Sequence, residues 1–528
     1  MSKLQDGVAR GATGIYFSNI IGMFASTAHF VVLTNLLSTT DVGIISGIQI
    51  IAYFVSTLSN FSLPQPIMTS LPIPHALSKL LPQYYGSGQK ARAVGAFRVS
   101  LVIVLLLLLP LTALIFIGAE PIAVVVFHGK AEQFWIQLSS FEVLFFALSQ
   151  FFFAGLVGLG RSGRAGLLYG ISLISRFGLA ALLVFLGFKV AGAVIGYIIG
   201  DALLVLLAAP ALFSSLGGKA ESVSASIVAK FSLPLLVSSL IVFGVTQIDK
   251  IFALLELGLP ELGIYTVSVA AASIGAYAPN AFNTALVPVL ASMLASYEQT
   301  SFKSLSKVYT RYVTLLGMPM AVMIAALALP LTRLFGPEYS SSALPAAIIS
   351  IAVATTSFTS VYNAQLIAST RVRWVMLANI AGLAVFGLVL SILVPSSSFV
   401  GAALARAIMI FVVAGVTTYS SYRFGYLVLD MRALLSSIIA STGMGTILTL
   451  IPYVIGGYAR QLASLVFLVP LGIVIYILLL RIMNTFTVDD LVFVGRLLPK
   501  RLKGVIGIVA KMAGVSSKEV ENVTGQIS

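Results

Sequence analysis

The chain has 528 residues, 59% of them hydrophobic and only 9% charged, with a mean hydropathy of +1.05. A water-soluble fold needs about a quarter of its residues charged to cover its surface, so the surroundings of this chain are mostly hydrocarbon. The net charge of +14 accompanies no nucleic-acid-binding motif, so no nucleic-acid partner is expected, and the absence of Cys excludes disulfides, thiolate metal sites and Cys nucleophiles.

Apolar stretches bounded by Gly, Pro and charge predict membrane helices over 13–36, 42–63, 96–118, 133–158, 165–187 and 190–213. Eight more follow over 231–256, 262–287, 310–332, 343–368, 374–394, 399–420, 433–456 and 462–483. Each approaches the roughly 20 apolar residues that one crossing requires. Uninterrupted runs such as Val102–Pro110 (VIVLLLLLP) exclude the alternating strands of a membrane β-barrel. The expected fold is an all-α polytopic membrane protein of about fourteen transmembrane helices. The first span lacks a small-residue cleavage site and is expected to be retained rather than removed as a signal peptide.

Basic residues test this arrangement. Seventeen Lys and Arg, from Lys3 and Arg10 through Lys79, Arg161, Lys219, Lys303 and Arg371 to Arg423 and Arg432, fall in loops on one side. Lys130, Lys189, Arg333 and Arg460 alone fall on the other. The positive-inside rule then puts both termini in the cytoplasm and the chain in the cell membrane. The longest outer loop is expected near 119–132.

The chain also repeats itself. Asp41–Ile50 (DVGIISGIQI) resembles Glu261–Ala270 (ELGIYTVSVA) at an offset of 220. Ala154–Arg161 (AGLVGLGR) resembles Ala364–Arg371 (AQLIASTR) at 210, and Gly192-Ala193 matches Gly401-Ala402 at 209. Three matches in one order make duplication the better explanation than chance. Six spans return the chain to the same side, so the copies are parallel repeats, an architecture that rocks about a central cavity in transporters. The expected organisation is an N-lobe over 1–215, a cytoplasmic linker over 216–230 and a C-lobe over 231–425. Two extra spans over 426–484 and an amphipathic basic tail over 485–528 complete it. In that tail 488–498 and 500–513 are suited to lie on the inner membrane surface, among membrane lipids.

Five further segments are Ala76–Ala93 (ALSKLLPQYYGSGQKARA), Gln247–Lys250 (QIDK), Leu262–Val267 (LGIYTV), Leu286–Pro288 (LVP) and Leu334–Tyr339 (LFGPEY). Through them the chain resembles the multidrug/oligosaccharidyl-lipid/polysaccharide exporter superfamily, and within it the polysaccharide transporter branch that includes O-antigen flippases. The likeness spans about 10–480. It implies translocation of a polyprenyl- or dolichyl-phosphate-linked oligosaccharide to the outer leaflet, for surface polysaccharide synthesis or protein glycosylation. The implied partners are that lipid-linked oligosaccharide and glycosyltransferase or oligosaccharyltransferase machinery. The chain departs from the pattern at Pro64, Pro66, Pro72 and Pro74, which kink or break a helix. Spans thirteen and fourteen favour a lipid substrate, since twelve-span multidrug exporters of the superfamily generally lack them. A proton- or sodium-coupled multidrug exporter of the same fold is the alternative.

Ionisable groups inside spans are costly and by default face a cavity or a partner. Arg176 and Asp201 fall near the midplane, and His29, Glu142, Asp249, Lys250 and Arg406 in the outer portion. One reading has Arg176, Lys250 and Arg406 offering positive charge to a phosphate headgroup, Arg through bidentate donors. In the other reading Arg176 pairs with Asp201 as a structural ion pair, while Lys250 snorkels beside Asp249. His29 is either a proton-coupling group or a hydrogen-bonded packing residue. Asp201, Asp249 and Glu142 complete the candidate coupling or polar groups. Enzyme motifs are absent: Gly158–Gly163 (GLGRSG) follows a span and lacks Rossmann context, and His29, His75 and His128 have no metal-ligand spacing. No catalytic residue, metal or cofactor is expected. The Asn522-Val523-Thr524 sequon falls on the cytoplasmic side and is read as coincidence.

Overall fold

Hydrocarbon offers backbone N–H and C=O groups no partner but each other, and this chain meets that requirement with helices. The structure, a computed structural model, describes residues 22, 24–60, 76–277, 279–280, 286–287, 290, 293–294, 299–454 and 458–485. All regular structure among them is helical. The four prolines at 64–74, the tail segments 488–498 and 500–513 and the Asn522 sequon lie outside the described residues.

The helices are α1 (Phe24–Leu36), α2 (Thr39–Asn60), α3 (Ala76–Gly86), α4 (Lys90–Ile117), α5 (Ala119–Val126), α6 (Gln133–Gly158), α7 (Ser162–Leu183) and α8 (Lys189–Phe213). There follow α9 (Ala225–Glu256), α10 (Leu259–Ser273), α11 (Gln299–Ala326), α12 (Ala328–Arg333), α13 (Ala343–Ala354) and α14 (Thr356–Ala368). The last are α15 (Val372–Arg423), α16 (Met431–Val454) and α17 (Tyr458–Ile482). Among the described residues ten helices are long and apolar enough to cross a membrane, or eleven when the pair Pro337–Ala354 and Thr356–Ala368, bent by 48°, counts as one. Two of the ten, Ser162–Phe213 and Val372–Arg423, have 52 residues each. An unbroken helix of that length would run about 78 Å, more than twice a bilayer's hydrocarbon thickness. Each is broken by residues of positive φ, Gly187 and Lys189 in the first and Ser398 in the second, and each covers two of the expected spans. The expected outer loop over 119–132 is largely helical, as α5 and a 3-10 turn at Lys130–Glu132.

The chain forms two compact units: Met1–Val267 with Asn379–Ala405, and Ser268–Ala378 with Arg406–Ser528. In the first, α2, α6, α7 and α8 pack on one another and α4 lies against α2 and α6. The most apolar windows of α2 and α6 are 67% and 72% buried, that of α4 only 22%. Helix α4 therefore turns Val102, Leu106, Leu109 and Leu114 outward, a surface that only lipid accommodates.

Helices α7 and α8 form a close antiparallel hairpin because α8 carries glycine at every fourth position. A Cβ at Gly192 would lie 2.8 Å from the Leu183 carbonyl carbon, while at Gly196 and Gly200 it would overlap the backbones of Ala180 and Arg176. Small residues at this spacing let membrane helices approach to backbone contact. The Ser172 hydroxyl, donating to the Gly200 carbonyl at 2.8 Å, locks the register.

Segments that resemble one another in sequence also share local structure. After α6 the Leu159, Gly160 and Arg161 amides donate to the Gly155, Val157 and Leu156 carbonyls. After α14 those of Ser369, Thr370 and Arg371 donate to Gln365, Ile367 and Leu366, the same pattern displaced by 210. At the starts of α2 and α10 two such segments meet: a Cβ on Gly43 would strike the Leu259 carbonyl and one on Gly263 the Thr39 carbonyl. Those residues correspond pairwise at an offset of 220, so the contact is reciprocal, as across a twofold axis.

In the second unit α11 is the central helix, packed by α13, α14 and α16, with α17 on α16. Leu315, Ala440, Met444, Leu448, Leu468 and Tyr476 share one buried cluster there. The Tyr476 hydroxyl donates to the Leu315 carbonyl at 2.9 Å and the Ser437 hydroxyl to that of Thr314 at 3.2 Å. Helices α16 and α17 are thus fastened to α11 by hydrogen bonds as well as by apolar contact.

Candidate functional site

The helices of the first unit converge on one buried polar cluster. The close α7–α8 approach sets Arg176 beside Asp201, and the two form an ion pair. The other terminal nitrogen of Arg176, Nη2, donates to Glu142 Oε1 on α6 at 2.9 Å and to Gln49 Oε1 on α2 at 3.2 Å. Gln49 Nε2 in turn donates to Glu142 Oε1 at 2.5 Å. The faces of the guanidinium are covered by rings: its Cζ lies 4.6 Å from the centroid of Tyr197 and 5.2 Å from that of Phe146. The Tyr197 hydroxyl is 2.8 Å from His29 Nε2, and the His29 ring lies 5.1 Å from Phe177.

Glu142 is fully buried, and Arg176, Asp201 and His29 nearly so. In this low-dielectric setting an unpaired ion costs roughly several kcal/mol, and the guanidinium meets two carboxylates and an amide oxygen. The second oxygen of Glu142, Oε2, has no hydrogen-bond partner among the described residues. Two carboxylates face one guanidinium, so the cluster is one positive charge short of neutrality, and a proton on either acid would supply it.

Of the residues singled out from the sequence, the structure brings Arg176, Asp201, Glu142 and His29 together. It adds Gln49 and Tyr197, which sequence reasoning missed. An amide inside the apolar run of α2 is a readable signal for Gln49; for Tyr197 the signal is its place next to Gly196 in the glycine-spaced face of α8. Asp249 and Lys250 lie on α9. Asp249 is fully buried and accepts the Tyr265 hydroxyl of α10 at 2.5 Å and the Lys250 amide at 2.9 Å. Lys250 itself is half-buried. Arg406 belongs to the second unit, half-buried on α15 after the break at Ser398.

A helical membrane fold with ionisable side chains gathered inside it is found among transporters. Its fold is that of the multidrug/oligosaccharidyl-lipid/polysaccharide exporter superfamily. A lipid II flippase, MurJ, in an inward closed conformation superposes with a TM-score of 0.65 at 14% identity, over 90% of this chain and 98% of its own. An inward-facing multidrug resistance MATE family transporter gives 0.59 at 16% identity, over 76% and 94%. A superfamily transporter from Pyrococcus furiosus gives 0.54 at 16%, over 79% and 95%. Residues 8–294, more than half of the sequence, match the polysaccharide biosynthesis protein family, and the chain belongs to that family. No curated protein matches it.

Proposed function

We propose that the chain flips a polyprenyl- or dolichyl-phosphate-linked oligosaccharide from the cytoplasmic to the outer leaflet of the cell membrane. The observation that carries this reading is membership of the polysaccharide biosynthesis family in a chain with an exporter fold. A lipid-linked glycan has a headgroup too polar to cross hydrocarbon, while its tail can remain in lipid. A carrier therefore has to shelter only sugar and phosphate, with no catalytic step and no cofactor.

In this reading two lobes, over 1–215 and 231–425, expose a cavity alternately to the two sides, and both termini are cytoplasmic. Arg176, Lys250 and Arg406 supply positive charge to the passing phosphate. Arg176 is held by Glu142 and Asp201, so phosphate has to compete with carboxylates for its donors. Protonation of one acid would release them, which gives Glu142, Asp201 and His29 a coupling role, with Asp249 a further polar group on α9. Glycosyltransferases or an oligosaccharyltransferase are the implied neighbours on either side of the step.

The second reading is a proton- or sodium-coupled multidrug exporter, favoured by the likeness to the MATE transporter. The likeness to the lipid II flippase extends over more of this chain, which supports a lipid-linked substrate. Loss of the protein separates the two. A flippase predicts that lipid-linked glycan accumulates in the inner leaflet and surface glycan falls. Normal surface glycans together with drug hypersensitivity would overturn the flippase and favour the exporter.

A further inference from the structure

The ends of α15 carry a second constellation. Arg371, in the cap before α15, lays its guanidinium 3.6 Å above the Phe424 ring and 5.8 Å from Tyr426. Arg423, at the other end of the helix, sits 5.2 Å from Trp374, whose ring meets Phe424 edge-on at 5.6 Å. The contacts run in one row, Arg423–Trp374–Phe424–Arg371–Tyr426.

The row is anchored. Tyr426 packs at 5.4 Å on the buried Phe302, its carbonyl accepts from Gln365 Nε2 at 3.1 Å, and Gly425 at φ 69° turns the chain so that the Tyr426 amide reaches the Ser421 carbonyl at 2.9 Å. The Arg371 amide is tied to the Leu366 carbonyl at 2.8 Å. Stacking occupies the face of a guanidinium and leaves its in-plane N–H edge for other acceptors, the geometry that grips a phosphate with two parallel hydrogen bonds.

No acidic side chain among the described residues pairs with Arg371, Arg373 or Arg423. The nearest acid along the chain, Asp430, is committed to Arg311 at 2.7 Å. Arg373 and Arg423 are exposed, and beside them Val372, Leu377, Tyr419 and Tyr422 turn 47–68% of their surface outward. Cationic edges next to outward apolar and aromatic groups at helix ends match an amphiphile with a phosphate head, and not a soluble anion.

The first repeat supplies an internal comparison. Its equivalent cap ends in Arg161, which stacks on no ring among the described residues, and Ser214 and Ser215 stand where the second repeat has Arg423 and Phe424. The helix cap therefore does not need the aromatic row.

We infer that Arg371 and Arg423, set on the Trp374–Phe424–Tyr426 row, together with the exposed Arg373 next to Trp374 in the chain, form a binding site for the phosphodiester headgroup of an anionic membrane phospholipid. The lipid is a resident of the leaflet bordering the basic loops, separate from any transported substrate.

Native mass spectrometry of the purified full-length protein tests it, with phosphatidylglycerol or phosphatidylcholine added to the detergent micelle. The wild type is expected to retain phosphatidylglycerol over phosphatidylcholine by roughly tenfold, the worth of about one charge-assisted hydrogen bond. Arg371→Gln with Arg423→Gln should abolish that preference, and the exposed Arg373→Gln, which unpacks no ring, should reduce it. Arg161→Gln in the first repeat should leave it intact. Equal retention of the two lipids, an unchanged preference in Arg373→Gln, or an equal loss in Arg161→Gln would each overturn the assignment. So would thermal stabilisation by inorganic phosphate matching that by phosphatidylglycerol, which would make it a site for free anions. Because the readout is lipid retention by isolated protein, its failure is distinct from failure of the flippase reading.

Discussion

Lys189 and Ser398, 209 positions apart, hold the same backbone conformation, φ 47° and ψ −132° at the first and φ 54° and ψ −143° at the second. Three residues beyond each stands a glycine, Gly192 or Gly401, pressed on the backbone of the preceding helix at Leu183 or Leu393. A helical run of 52 residues is thereby folded back on itself twice in the chain by one device. The conformation is one that only glycine adopts without steric cost. Lys189→Gly and Ser398→Gly should each stabilise the protein by about 1 kcal/mol, read as a rise in thermal midpoint in detergent, and Lys189→Val should lower it.

The glycine face of α8 invites a paired comparison. Gly200→Ala places a methyl on the Arg176 backbone and should destabilise by about 2 kcal/mol or more, because two helices must separate to admit it. At Gly178, on α7, a Cβ would meet nothing within 4 Å. Gly178→Ala should therefore leave the unfolding midpoint unchanged within about 0.5 kcal/mol. Equal effects at the two positions would contradict the packing described for the hairpin.

Arg176 is both the centre of the buried cluster and a proposed substrate contact, and charge compensation distinguishes the roles. Arg176→Met alone strands Glu142 and Asp201 and should cost about 3–5 kcal/mol. Adding Glu142→Gln and Asp201→Asn removes both charges and should restore most of that stability. Under the proposed function the triple variant is folded and inserted yet fails to deliver surface glycan. Full delivery by this variant would remove the cluster from the transport mechanism.

Acid should loosen the join between α11 and the last two spans. Burial raises the Asp430 carboxyl, but the Ala433 amide and the Arg311 guanidinium outweigh it and hold the group below the usual carboxylate range. The sign follows from linkage: a lowered folded-state value means the stabilisation is complete above the unfolded value of about 4 and is lost as pH falls through the folded one. Arg311 also donates to the Thr485 carbonyl at 2.6 Å, tying the end of α17. Thermal midpoints taken from pH 7 down to pH 3 should fall less steeply in Asp430→Asn than in the wild type. At pH 7 that variant should be less stable by about 1 kcal/mol.

Much of the fold is legible along the chain. The boundaries of α6, at 133 and 158, are the ones its apolar run predicts. Gly43 and Gly263 are readable as members of two like segments, and Arg176 and Asp201 as costly charges in apolar runs. Gln49 and Tyr197 were not readable as partners of Arg176, because they lie 127 positions before it and 21 after it. Nothing in hydropathy ranks one polar residue inside a span above another. The bend at Thr355 and the helical character of 119–126 also escaped, since apolar content distinguishes membrane from water and not a straight helix from a broken one.

Hydropathy along the chain is enough to place it in a membrane as a set of helices, because the free energy of placing apolar residues in lipid acts residue by residue and leaves a one-dimensional record. Which charges meet is settled by how the helices pack. Whether Arg176 faces a substrate path or a carboxylate depends on glycines that bring α7 and α8 to backbone contact, and on the rotation of α2 and α6 that turns Gln49 and Glu142 to the same point. Those are properties of helix packing, where a difference of one methyl group sets the approach and no single residue's hydropathy records it.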